Sequence, residues 1–217
     1  MKSEKSIVHE ILRTHGRTFS DELGIRVERN TPSPLFRLLV FALLSSARIS
    51  HRLAIKAAKA LSREGWNTPK KMTQATWEHR AHVLNRSGYA RYDESTSRML
   101  EDTSNILQEE YKGDLRNLRE EAERDPKRER ILLKKFKGIG DVGVDIFFRE
   151  VQVAWDELVP FADNRVLKAA RRLGLGNDVS DLHKIVKGRD FVRLVAGLVR
   201  VELKNDSSPR ELSPGIS

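Results

Sequence analysis

Apolar residues recur at helical spacing along most of this chain, and no stretch sustains the apolar–polar alternation of a half-buried strand. The pattern predicts an all-α fold. Ile7, Val8, Ile11 and Leu12 make a short amphipathic helix, followed by a loop through Gly16, Gly24 and the turn-like stretch from Asn30 to Pro34. Leu35, Phe36, Leu38, Leu39, Val40, Phe41, Leu43 and Leu44 are apolar nearly all round, as in a helix enclosed by others. Ser50 reads as the N-cap of a helix that stops at Gly65, and Thr68-Pro69 and Thr73 as further start signals before a helix with Trp77, Ala81 and Leu84 ending near Gly88. The span 93–110 is polar with a stripe at Met99, Leu100, Ile106 and Leu107, which places it on the surface. Asp125-Pro126 opens a helix running through Phe136, and further helices start at Asp141, Asp163, Ser180 and Asp190. Residues 205–217 have the composition of a disordered tail.

The length of 217 residues suits one compact enzyme-sized unit. Forty lysines and arginines against 31 aspartates and glutamates give a net charge of +9, which points to a polyanionic partner. The absence of cysteine excludes disulfides, thiolate-ligated zinc or iron–sulfur groups and a cysteine nucleophile. The longest apolar run, from Leu35 to Ala47, is broken by Arg37 and is too short for a membrane span, and the first residues are too polar for a signal peptide. A soluble cytoplasmic protein is expected, nucleoid-associated in a bacterial or archaeal cell.

The most informative stretch runs from Ile131 to Phe148: a helix, a turn with Gly138 and Gly140 around Ile139, and a second helix. Glycines let a backbone approach a ligand closely, and the first amides of the following helix point outward, which together suit an anion such as a nucleic-acid phosphate. Lys134, Lys135 and Lys137 add attraction. A Gly-x-Gly pair is uninformative alone and equally fits an ordinary helix–helix turn; its neighbours Phe136 and Ile139, the flanking apolar helices and the lysines favour phosphate. No strand precedes it and no Gly-Lys-Ser/Thr occurs, so it is not a nucleotide fingerprint.

Four segments together resemble the helix-hairpin-helix DNA glycosylase superfamily, in its endonuclease III and adenine-glycosylase branch. The stretch 132–147 is similar to the family's hairpin, and 159–175 to the segment in which an aspartate opens a helix ending Arg-Leu-Gly-Leu. Residues 35–47 resemble the buried helix ending Leu-Leu-Ser, and 86–91 a glycine-aromatic loop that touches the DNA strand. Their order matches the family over most of 35–175. The resemblance implies an all-α, two-lobed fold: a single unit over 1–204, with a central lobe over about 33–150 and a second lobe from the N-terminal helix and about 151–204.

The resemblance makes Asp163 the catalytic carboxylate, which would stabilise an oxocarbenium-like sugar and orient water. Read alone, Asp163 is a helix N-cap, and the two roles are compatible. In members that also cut the strand, a lysine stands two residues beyond the second hairpin glycine; here that residue is Val142, which removes covalent lyase chemistry at that position. Many members also hold an iron–sulfur cluster on four cysteines, and no cofactor is expected here. The implied function is flipping and hydrolytic removal of a damaged or mispaired base from double-stranded DNA, by a monomer without a lyase step. The alternative is a non-catalytic protein that recognises damaged duplex; a helical interaction protein is the third reading.

The implied DNA contacts are Lys137, Gly138, Ile139, Gly140, Val142 and Gly143 on the hairpin, Ser46, Ala47 and Arg48 after the buried helix, Gly88, Tyr89 and Arg91 in the aromatic loop, and Arg165 beside Asp163. Arg48 is placed either to fill the gap left by a flipped base or simply at a solvent-facing helix end. Tyr89 and Tyr92 suit either stacking or packing. Trp155 reads as core or rim. His79 and His82 share a helix face but lack an acidic or third histidine partner nearby, so no metal is assigned.

Overall fold

The computed structural model describes residues 3–207, and only the backbone of 205–207. These residues form thirteen α-helices and three short 3-10 turns, with no strand among them. The chain divides into two compact units: an inserted unit, Phe19–Val159, and a flanking unit from the described parts of Met1–Thr18 and Pro160–Ser217.

The flanking unit contains α1 (Glu4–His15), α11 (Asn164–Arg172), α12 (Val179–Ile185) and α13 (Gly188–Ser207). Val8 and Ile11 of α1 are buried, and α13 lies against both α1 and α11. A Cβ at Gly197 would stand 2.5 Å from Ile11 Cγ2, so the helices meet there at backbone distance. Arg193 fixes the pair by donating to the carbonyls of Leu12 and Gly16 at 3.4 and 3.2 Å. On the α11 side, buried Glu202 takes Lys168 at 2.7 Å and Arg172 at 2.9 Å. These cations hold its carboxyl below the usual range despite burial. Helix α12 is opened by a capping box between Asp178 and Asp181, with the N-cap two residues before the Ser180 start read from sequence. Helix α13 continues to Ser207, into the stretch expected as tail; the rest of that expectation, 208–217, lies outside the described residues.

The inserted unit is built around α3 (Pro32–Ser46), in which every residue from Leu35 to Leu44 except Arg37 is buried. Prolines in its first turn start the helix where their missing amides cost nothing. Around it lie α2 (Phe19–Leu23), α4 (His51–Arg63), α5 (Pro69–Gln74), α6 (Trp77–Arg86), α7 (Asp93–Tyr111), α8 (Leu115–Glu121), α9 (Pro126–Leu133) and α10 (Asp141–Val151). The 3-10 turns are Val27–Arg29, Ala90–Tyr92 and Asp156–Leu158.

Several local readings are corrected. The expected loop after α1 contains α2 and a 3-10 turn, because Glu150 of α10 accepts from the Phe19 and Ser20 amides at 3.3 and 2.8 Å and so caps a helix too short to show periodicity. Helix α6 is opened by Thr76, whose hydroxyl accepts from His79, while Thr73 lies inside α5. Helix α9 ends at Leu133, leaving Phe136 in the turn. The span read as surface, α7, buries Thr96, Ser97, Thr103 and Ser104 beside its leucines. Small hydroxyls can go inside when hydrogen-bonded, as where Ser104 donates within the helix to Leu100 O at 2.7 Å and Ser97 across to Trp77 O of α6 at 2.9 Å. Arg80, fully buried, donates to the carbonyls of Met72 and Ala75 and to Glu101, joining α5, α6 and α7. Trp155 is core: its indole donates to Asn30 Oδ1 at 3.1 Å and its ring meets Phe147 edge-on.

Candidate nucleic-acid interface

The second helix of the hairpin starts at Gly140, and no side chain caps it. Its first-turn amides therefore face outward in the geometry that binds anions. The turn before it is held from below. Phe136 and Ile139 are buried, and the Ile139 amide donates to Phe136 O at 3.0 Å. Ile139 is thus a plug that seats the turn; neither its side chain nor its amide is left for phosphate, which corrects its placement among the contacts. Gly138 takes a φ of +87°, and a Cβ there would stand 2.8 Å from Met99 Sδ. A side chain at Gly143 would stand 2.7 Å from Ser46 Oγ. Val142 is 61% exposed on the first turn of α10.

Charge around the hairpin is largely paired. Lys134 lies 3.0 Å from Asp141, and Arg130 reaches Asp145 at 2.6 Å while its guanidinium sits over the Phe148 ring. Hydrogen bonding and attraction from Lys134 hold the Asp141 carboxyl below its ordinary range. Lys137 pairs with Asp102 of α7 at 3.1 Å. Exposed pairs of this kind are screened by solvent and contribute little, so an anion can displace either carboxylate at small cost.

Three of the sequence-predicted segments converge on the last turns of α3. The Gly138 Cα faces Leu43 as well as Met99, Gly143 abuts Ser46, and the Tyr89 hydroxyl donates to Leu44 O at 2.9 Å. Ser46 Oγ itself donates to Ala42 O, and Ala47 ends the helix in an extended conformation with Arg48 exposed beyond it. Tyr89 needs correction. It is 1% exposed, and burial pushes its hydroxyl up to about 12, so the side chain anchors the loop and has no face to offer a base. Arg91 is exposed, its guanidinium 5.4 Å from the Tyr92 ring centre, and Gly88 is exposed at the end of α6. Met99 and Asp102, which seat the turn and hold Lys137, went unread because they lie some forty residues upstream with no local signal.

In the flanking unit, Asp163 is the N-cap of α11, its Oδ1 accepting from the Val166 amide at 3.1 Å. That bond fixes the carboxylate's direction. Arg165 is exposed in the first turn of the same helix. The residues do not fit the cluster many family members hold: the chain has no cysteine, and no group of three or more potential metal ligands occurs among the described residues. No helix there is long and apolar enough to cross a membrane.

No protein-family model and no curated protein matches the chain by sequence. Among solved structures, it is similar to endonuclease III in a non-covalent DNA complex, with a TM-score of 0.55 and 20% identity over 99% of this chain and 91% of that one. It is also similar to endonuclease III in a trapped covalent DNA intermediate, an estranged-adenine complex, with a TM-score of 0.52 and 21% identity over 92% of this chain and 85% of that one. The all-helical architecture of the described residues matches the endonuclease III fold.

Proposed function

We propose that this protein is a DNA glycosylase that removes a damaged or mispaired base by hydrolysis, without a Schiff-base step. The observation that carries the reading is the convergence of the hairpin, the Ser46–Arg48 end and the Gly88–Arg91 loop on one helix terminus, with an uncapped helix start ready for phosphate. The structural neighbours are DNA complexes of endonuclease III, which supports duplex DNA as the partner.

Cleavage of an N-glycosidic bond breaks the bond from C1′ to the base and leaves positive charge on the sugar. A carboxylate near that carbon offsets the charge and orients the water whose oxygen bonds to C1′. We assign this role to Asp163, already fixed in direction by the Val166 amide. Val142 supplies no amine, so water is the nucleophile. The base must leave the stack to react, and Arg48, exposed beyond α3, is positioned by sequence to occupy the gap.

The test is base release from a panel of lesion-bearing duplexes by wild type and Asp163→Asn. Wild type is expected to release base, and the variant to lose activity by about 100-fold or more. Equal rates would remove Asp163 from the mechanism. Borohydride should trap no covalent adduct with wild type; a trapped adduct would overturn the hydrolytic reading. Tight damaged-duplex binding with no release from any substrate would instead favour the non-catalytic reading.

A further inference from the structure

Two helices outside the convergent site carry matching rows of basic residues. Lys56, Lys59 and Arg63 stand at i, i+3 and i+7 on α4, and His79, His82 and Arg86 repeat the spacing on α6. Residues so spaced share one helix face. The two helices pack together, and both rows line a single open cleft of about 640 Å³. The two histidines, which share a face, thus belong to a surface of six basic residues.

The charge in this cleft is unbalanced in a way the hairpin's is not. Glu64 is its one acidic lining residue, 3.6 Å from His79. Lys56, Lys59, Arg63 and Arg86 have no carboxylate partner among the described residues. Residues 19–159 as a whole are near balance, with 25 lysines and arginines against 22 aspartates and glutamates. The concentration is therefore local. Four unpaired cations repel a metal ion and raise the concentration of anions.

The shape and position narrow the anion. From His79 to Arg86 the α6 row spans seven residues, about 10 Å at 1.5 Å per residue. A nucleic-acid strand places about three phosphates over that length. The row ends at Arg86 and Ser87, directly before the Gly88–Arg91 loop assigned to the DNA strand.

We propose that the α4–α6 cleft is a second phosphodiester site, which holds the DNA backbone for about three nucleotides beyond the Gly88–Arg91 loop. The assignment rests on the DNA-binding reading above.

The experiment uses the full chain and the triple variant Lys56→Gln/Lys59→Gln/Arg63→Gln, with thermal unfolding as the check on folding. Affinity for a three-turn duplex containing an abasic site is measured over a range of potassium chloride concentrations. The variant is expected to bind more weakly, and the slope of log K against log salt to become shallower by about 2 to 3, since each lost phosphate contact removes about 0.9. A folded variant with the wild-type slope overturns the proposal. Unchanged DNA affinity with lost stabilisation by tripolyphosphate also overturns it and marks a small-anion site. Should the triple variant not fold, Arg86→Gln on α6 reads the same quantity, with a change of about 1 expected and none overturning the assignment. Wild type without salt-dependent duplex affinity would refute the DNA reading itself, a failure visible before any variant is made.

Discussion

Glu129 is fully buried on α9 beside Glu157 and Arg119, and the three settle their charges unequally. Burial, then hydrogen bonding to Glu157, pushes Glu129 up to about 9. Burial opposes ionisation of Glu157 too, but hydrogen bonds from Arg119 and Glu129 bring it to about 2. Glu129 thus keeps its proton over a pH range in which Glu157 is ionised. The unfolded chain releases the Glu129 proton near the ordinary value of 4.5, so folding takes up a proton between about 4.5 and about 9, and stability falls as pH rises through that window. Glu157 contributes the opposite sense: its stabilisation is present above about 4.5 and is lost as pH falls towards about 2. Glu129→Gln keeps the size of the side chain and removes the titrating proton. Its melting temperature should change less than wild type between about pH 5 and pH 9, with the variant ahead at the alkaline end; parallel profiles would refute the assignment. Asp163 separates capping from chemistry in the same spirit. Asp163→Ala should lower stability by about 1 kcal/mol in denaturant titrations, whereas Asp163→Asn, itself a good cap, should leave stability nearly unchanged while base release collapses. The cap at Asp163 was legible in the sequence because capping is local. The Glu129 pairing was not, because its partners lie on other elements and an isolated glutamate in a polar helix looks solvated.

Among the elements, the hairpin makes the sharpest structural demand at one glycine and a mild one at its neighbour. Gly138→Ala meets both a left-handed backbone and Met99, and should cost about 1–2 kcal/mol in thermal or denaturant unfolding. Gly140 has an ordinary extended conformation with open space where a Cβ would go, so Gly140→Ala should cost only about 0.5 kcal/mol, from alanine's poorer fit to the N-cap, and should weaken duplex binding. Equal stability losses in the two would contradict this account of the turn. The long, apolar α3 and the hairpin were readable because periodicity and turn residues agree over many positions. Short α2 and α8 were not: five and seven residues are too few for a period, and α2 relies on Glu150, well over a hundred positions away. Polarity also misled for α7, where four buried hydroxyl residues, among them Ser104 bonded within the helix and Ser97 bonded across to α6, made a buried face look exposed. Tyr89 shows the converse, an aromatic beside arginine that reads as a strand contact until its hydroxyl is found on Leu44.

Across the whole molecule, the net charge of +9 predicts duplex affinity that falls steeply with salt, measurable as a linear log–log slope. An affinity insensitive to salt would mean that the charge serves another end. The all-α class followed from the absence of alternating patterns, whereas the grouping of the N-terminal helix with the last helices came only from the family resemblance, because α1 and α13 meet across the inserted segment with only their apolar faces as a local cue. That pairing sets an order of events during synthesis. Residues 19–159 are complete while the helix that buries Val8 and Ile11 has yet to be made. About 170 residues separate α1 from α13, roughly 10–35 seconds of translation. Helix α1, made well before its partner, is therefore left uncovered over that interval, and its apolar face is an exposed liability of the nascent chain.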